Sequence, residues 1–247
     1  MKKNLGLLAV VFAIALAAVG AGGQRAAGKL SATGKAQHSA FSVNAAAERI
    51  PNLDLLKKEI KEYHECTCKC GCYARDIDVQ ADRAIAFLRR RAAHPNSREK
   101  LAMVFDIDET SLSNYPEMLK ADFAYDSKVF DAWVESAQGP AIAGSLRLYK
   151  EAQRLGVSVF FITGRPEAER DATERNLREQ GFQDWRGLTL RPASTESTEA
   201  YKSAARAQVA AQGYKIVLNV GDQWSDLKGK PEAEFSVKYP DPYYFIP

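Results

Sequence analysis

Four short segments of this chain carry side chains that can do chemistry together. Asp106 and Asp108 stand two residues apart, Thr163-Gly164-Arg165 follows later, then Lys202, and finally Asp222 with Asp226. A pair of aspartates lets one carboxylate attack as a nucleophile while the other carries a proton. A carboxylate attacking an anionic phosphate meets like-charge repulsion, which a divalent cation and a lysine offset. Asp222 and Asp226 add hard oxygen ligands of the kind Mg²⁺ takes. Thr163 and Gly164 offer a hydroxyl and backbone N–H groups to phosphate oxygens, and Lys202 offers a fixed positive charge. The chemistry this set suits is phosphoryl transfer.

Each signal is weak alone. An Asp-x-Asp pair is usually a turn or a helix cap, and Thr163 can simply cap a following helix. A lysine one turn into a helix usually faces water, and Asp226 can be a cap in a loop. Their order and their common placement at strand ends carry the reading.

That placement follows from the elements. Residues 101–105 (LAMVF), 157–162 (VSVFFI), 188–190 (LTL) and 215–220 (KIVLNV) are continuous apolar runs, as strands buried on both faces require. Helical patterns separate them. Ala81, Ala84, Ile85 and Leu88 recur at helical spacing between Arg75 and Ala93, and His94-Pro95-Asn96 ends that helix. Ile142, Leu146 and Tyr149 share a face before Gly156; Pro166 opens a helix stopping at Gly181; another spans Thr198 to Gly213. A short polar helix follows Pro51. Alternating strands and helices predict an α/β fold, a parallel sheet with helices on both faces. Asp106, Thr163 and Asp222 then fall at carboxyl ends of strands, where such sheets bind ligands.

MVFDIDETSLSNYPE (103–117), FFITGRPEAERDATERNL (160–177), YKSAAR (201–206) and NVGDQWSDLKG (219–229) resemble the four motifs of the haloacid dehalogenase (HAD) superfamily. The wording is similar to subfamily IIIB acid phosphatases, which include bacterial secreted enzymes and plant relatives of vegetative storage proteins. The tail FSVKYPDPYYFIP (235–247) is similar as well. The resemblance implies a HAD-like Rossmannoid sheet and Mg²⁺-dependent hydrolysis of small phosphomonoesters through an aspartyl-phosphate. It implies Asp106 as nucleophile and metal ligand, and Asp108 as general acid and base with a metal-binding carbonyl. Thr163 and Gly164 are then phosphate-binding, with Lys202, while Asp222 and Asp226 complete the metal site. Residues 111–140 are too short for a full cap domain and are expected to form a short helical insert. Of its aromatics, Tyr115, Phe123, Tyr125, Phe130 and Trp133, most are expected to pack against the sheet, with one or two at the site mouth.

A storage or phosphate-binding protein of the same fold is the competing reading, and retention of Asp106, Asp108, Thr163, Lys202, Asp222 and Asp226 argues against it. A metal-handling protein built on the cysteines is a third, and it leaves the motifs unexplained.

The chain has 247 residues, 46% apolar, which suits one sizeable domain spanning 51–247. A net charge of +3 points to neither a nucleic-acid nor a membrane-surface partner. Lys2 and Lys3 precede an apolar run, Leu5 to Val19, and then small residues, so 1–22 reads as a signal peptide and the protein as secreted or periplasmic. Residues 23–50, rich in Ala, Gly, Ser, Gln and Lys, read as a flexible segment.

All four cysteines lie in Cys66-Thr67-Cys68-Lys69-Cys70-Gly71-Cys72. Disulfides from Cys66 to Cys70 or Cys72 fit an exported protein, and alternating sulfurs also suit a soft metal.

Overall fold

A computed structural model describes residues 50–68, 72–93, 99–193 and 197–246. The expected signal peptide and all but the last residue of the flexible segment lie outside these, as do His94-Pro95-Asn96, Cys70 and Gly71.

Helices α1 (Leu53–Glu65) and α2 (Tyr73–Ala93) precede the first strand, β1 (Lys100–Phe105). The insert forms α3 (Tyr115–Lys120) and α4 (Ser127–Ser136). Then come α5 (Ala143–Arg154), β2 (Ser158–Pro166), a 3₁₀ turn (Glu167–Glu169), α6 (Arg170–Glu179) and β3 (Gly187–Arg191). The chain closes with α7 (Thr198–Ala211), β4 (Tyr214–Gly221), α8 (Trp224–Leu227) and β5 (Phe235–Lys238).

The five strands among the described residues are all parallel, in the order β3-β2-β1-β4-β5. The chain winds outward from β1 through β2 to β3, then crosses back to place β4 on the other side of β1. The strand order therefore reverses between β1 and β4, and a crevice opens at their carboxyl ends.

Period-two alternation divides the core between the two faces. Leu101, Met103 and Phe105 join one cluster with Ile77, Leu88, Leu148 and Tyr149 from α2 and α5. Ala102 and Val104 join the other with Tyr201, Ala205 and Val209 from α7. The four apolar positions predicted for α2 are all buried. The β1–β4 register shifts between Ala102, opposite Ile216, and Met103, opposite Leu218. Val217 is the extra residue of this bulge, which turns Asn219 toward the α7 face, where its Nδ2 donates to the Asp226 carbonyl at 2.9 Å.

Several boundaries differ from expectation. Pro166 does not open a helix: it ends β2, opposite Arg191, and the helix proper begins at Arg170. Thr163-Gly164-Arg165 thus lies within β2 rather than after it. The edge strand β5 and the four-residue helix α8 had no signature in the sequence pattern.

The insert's aromatics mostly do not meet the sheet. Tyr115 stacks on His64 with centroids 3.4 Å apart, and Trp133 donates to Asn114 Oδ1 at 2.8 Å. Phe123, Tyr125 and Phe130 line a cavity above the strand ends instead.

Neither of the two pairings weighed for Cys66 is formed. Cys66 and Cys72 are free thiols, and Cys68 is disulfide-bonded. Cys66 Sγ stands 2.9 Å from Cys68 Sγ, and Cys72 turns its thiol to the Cys68 carbonyl at 3.0 Å.

Candidate active site

The turn after β1 builds the first wall. The Ile107 carbonyl accepts from the N–H groups of Thr110, Ser111 and Leu112, at 3.2, 2.8 and 2.9 Å. This tight wrap puts Glu109 in the left-handed region at φ 52°, which a non-glycine residue adopts only when its surroundings hold it. Asn114 does so, its N–H donating to Glu109 Oε1 at 2.6 Å and its Nδ2 to Oε2 at 2.9 Å.

Asp106 leaves β1 with its backbone tied to β4, its N–H donating to the Val220 carbonyl at 3.0 Å. The carboxylates of Asp106, Asp222 and Asp226 converge, with ligand oxygens within 4.8 Å of one another and all three residues buried. Lys202, on the first turns of α7, enters between them. Its Nζ donates to Asp106 Oδ1 at 2.5 Å and also to Asp226 Oδ1.

Each acidic group is fixed from behind. Thr110 Oγ1 donates to Asp222 Oδ1 at 2.9 Å, and Gln223 Nε2 to Asp222 Oδ2 at 2.8 Å. Asp226 and Gln223 form a reciprocal capping box at the start of α8, and Arg206 Nη1 donates to the Asp226 carbonyl at 2.7 Å. Gly221 is obligatory here, because a Cβ at that position would lie 2.6 Å from Asp226 Cγ.

Three buried carboxylates face one ammonium, which leaves a deficit of positive charge. Burial, with Lys202 opposing and Asp226 and Asp108 reinforcing, pushes Asp106 up to about 7. Burial, then Asp106 and Asp226, raises Asp222 well above the usual carboxylate range. Burial disfavours the charge on Lys202, yet Asp106 and Asp226 outweigh it and raise the ammonium's pKa. A hard divalent cation answers this deficit, and the clustered oxygens are the donors it prefers. The donor set therefore fits such an ion.

Asp108 does not join that cluster. Arg165 Nη2 and Nε donate to its Oδ1 at 2.7 and 3.0 Å, and Asn114 Nδ2 donates at 2.9 Å. Burial works against the Asp108 charge, but Arg165 and these hydrogen bonds hold its carboxyl below the ordinary value. Thr163 is fully buried; its hydroxyl accepts from the Arg165 N–H at 3.1 Å, while Gly164 and Arg165 line the cavity.

Asp106, Asp108, Gly164, Lys202, Asp222 and Asp226 thus line one cavity of about 630 Å³. Sequence reasoning passed over Arg165, Asn114, Glu109 and Gln223. All four stood inside quoted motifs, so the signal was present without an assigned partner. The tail closes one side. Tyr244 donates to Glu109 Oε2 at 3.3 Å, and the Ile246 N–H donates to Gln223 Oε1 at 3.1 Å.

A doubly wound sheet with buried carboxylates and a lysine at its switch point defines a HAD-like α/β protein. The family model for HAD superfamily, subfamily IIIB (acid phosphatase), matches residues 24–247, and the chain belongs to that family. It is 39% identical to acid phosphatase 1 of Solanum lycopersicum, over 70% of this chain and 69% of that protein. It is 35% identical to the stem 28 kDa glycoprotein of Glycine max, over 70% of each chain. The fold is similar to the class C acid phosphatase from Bacillus anthracis, with TM-score 0.64 and 23% identity over 76% of this chain and 85% of that one. The chain is a phosphoric monoester hydrolase of the acid phosphatase type.

Proposed function

We propose that this protein hydrolyses small phosphomonoesters with Mg²⁺, through a phosphorylated Asp106. The observation that carries the reading is Lys202 held between Asp106 and Asp226, beside Asp222, at the β1–β4 switch point. Asp106, Asp222 and Asp226, with the Asp108 carbonyl, are the ligands assigned to Mg²⁺. Bound there, the ion neutralises charge on the phosphoryl oxygens.

In this scheme Asp106 attacks phosphorus while Lys202, Gly164 and Thr163 hold the phosphoryl group. Asp108 gives its proton to the leaving oxygen, then takes one from the water that attacks the acyl phosphate. Arg165 and Asn114 favour the Asp108 carboxylate, the form that takes the water's proton in the second half. Acidic medium favours the protonated form the first half needs.

Localisation is proposed from the leader. Lys2, Lys3 and the apolar run to Val19 are read as a signal peptide, and the family match begins after them, at residue 24. No helix among the described residues is long and apolar enough to cross a membrane. Intact mass of the exported protein tests this, with a mature start expected between Val19 and Gln24.

The enzymatic test is hydrolysis of an aryl phosphate before and after chelation, with Mg²⁺ restored afterwards. Loss with EDTA and recovery with Mg²⁺ is the expected result; full activity after exhaustive chelation contradicts it.

A further inference from the structure

The cavity contains a buried carboxylate for which the reaction above has no use. Glu169 ends the 3₁₀ turn after β2, lines the cavity and is 6% exposed. Its Oε2 is buried with no hydrogen-bond partner among the described residues. A buried acceptor left unpaired is costly, and nothing among the described residues answers this carboxylate, which leaves room for a donor carried by a bound ligand.

The charges around Glu169 say what kind of donor. Burial raises its pKa, Arg165 opposes, and Asp108, Asp131 and Glu135 add to the rise, bringing it up to about 7. Arg165 is a committed cation: Nε and Nη2 hold Asp108, and Nη1 donates to Thr173 Oγ1 at 3.2 Å. Asp131 and Glu135 lie one turn apart on α4, which packs against the 3₁₀ turn and α6, and Asp131 lines the same cavity. Arg175, on α6, reaches the Glu135 backbone carbonyl at 2.6 Å.

Glu169 lines the same cavity as Asp108, the residue assigned to the leaving oxygen, and stands in the segment whose Arg165 holds Asp108, which puts the subsite on the leaving-group side. A neutral hydroxyl would satisfy Oε2 but not the excess of negative charge. A quaternary ammonium would answer the charge but has no N–H to give. A protonated amine does both.

We propose that Glu169, assisted by Asp131, forms a subsite for a protonated amine on the leaving group, so that the preferred substrates are phosphomonoesters of amino alcohols. The proposal rests on the phosphatase reading above.

The test compares kcat/KM of the Mg²⁺-supplied protein for phosphoethanolamine, glycerol 1-phosphate and phosphocholine, with an aryl phosphate alongside. Phosphoethanolamine is expected to exceed both alkyl competitors by about 10-fold, the scale of one charge-assisted hydrogen bond. Glu169→Gln is expected to bring the ratio of phosphoethanolamine to glycerol phosphate close to one. Asp131→Asn, at an exposed helix position, is expected to lower it by about 3-fold. Glu59→Gln, on exposed α1, is the control for overall charge and leaves the ratio as it was. Equal rates for phosphoethanolamine and either competitor overturn the subsite, as does an unchanged ratio in Glu169→Gln. Activity on the aryl phosphate alone also overturns the subsite but spares the phosphatase reading. Inactivity on all four overturns both.

Discussion

Lys202 and Asp106, separated by 96 positions in the chain, meet at 2.5 Å with both side chains buried. The lysine is a catalytic contact in the proposed scheme and also the cation that, among the described residues, pairs directly with the carboxylate cluster. Lys202→Met should therefore damage both. Loss of one preorganised charge at a phosphoryl group lowers kcat by about 100-fold or more. Removing one partner of a buried ion pair destabilises by about 3–5 kcal/mol. The double variant Lys202→Met/Asp106→Asn should be less destabilised than the sum of the single changes, because the two sites share one interaction. Urea denaturation of all four proteins measures the coupling, and strict additivity would contradict it.

The sheet and the edge that carries the candidate site were legible because buried parallel strands write continuous apolar runs, and four such runs ended beside Asp106, Thr163, Asp222 or the loop before α7. What the sequence concealed depends on pairings between distant segments. The Arg165–Asp108 contact spans 57 positions and exists because β2 stays extended through Pro166. Asp241 reaches Gln223 Nε2 at 2.5 Å from the tail, a contact that no local pattern encodes. The strand β5 is four residues long at the sheet edge, with only Val237 fully buried, so it carries almost no periodicity. The insert's rings were misplaced for a related reason: α3 and α4 lie above the strand ends, where an aromatic can line a cavity as readily as a core.

Gly221 supplies a test of the site's packing. An alanine methyl at this position overlaps the Asp226 side chain, whose capping box and carbonyl contacts leave it little room to retreat. Gly221→Ala should destabilise by about 1–3 kcal/mol and displace Asp226 from the cluster. Gly164 is the contrast, since a Cβ there meets nothing within 4 Å. Gly164→Ala should leave the denaturation midpoint close to that of the parent. Comparable losses in the two variants would contradict the crowding assigned to Gly221.

His64 sets a pH dependence away from the chemistry. Its ring lies against Tyr115 and Tyr73 and is hydrogen-bonded to Tyr243, and burial, with Glu65 opposing, lowers its pKa to about 4. A histidine kept neutral in the fold takes up its proton more readily when unfolded. Its contribution is complete above the ordinary value of 6.5 and is lost as pH falls from there toward about 4. Thermal unfolding followed across that window should show a decline that His64→Phe reduces, since phenylalanine stacks but does not titrate. An identical slope in both proteins would remove His64 from the account.

In the proposed scheme the two aspartates of the first turn separate by role. Asp106→Asn removes the nucleophile and should abolish turnover of every ester. Asp108→Asn removes the proton donor, so it should cripple alkyl phosphates while aryl phosphates, whose leaving groups need little protonation, suffer less. Trifluoroberyllate, which mimics a phosphoryl group on a carboxylate, should inhibit the parent strongly and bind Asp106. The competing route is direct attack of water on phosphorus, with Asp106 only a ligand, and loss of activity in Asp106→Asn does not separate the two. Stereochemistry does. Two displacements, first by Asp106 and then by water, each invert phosphorus and together retain its configuration. A single displacement by water inverts it. Hydrolysis of a chiral phosphate ester should therefore proceed with net retention, and net inversion would exclude the phosphorylated Asp106 whatever the variants do.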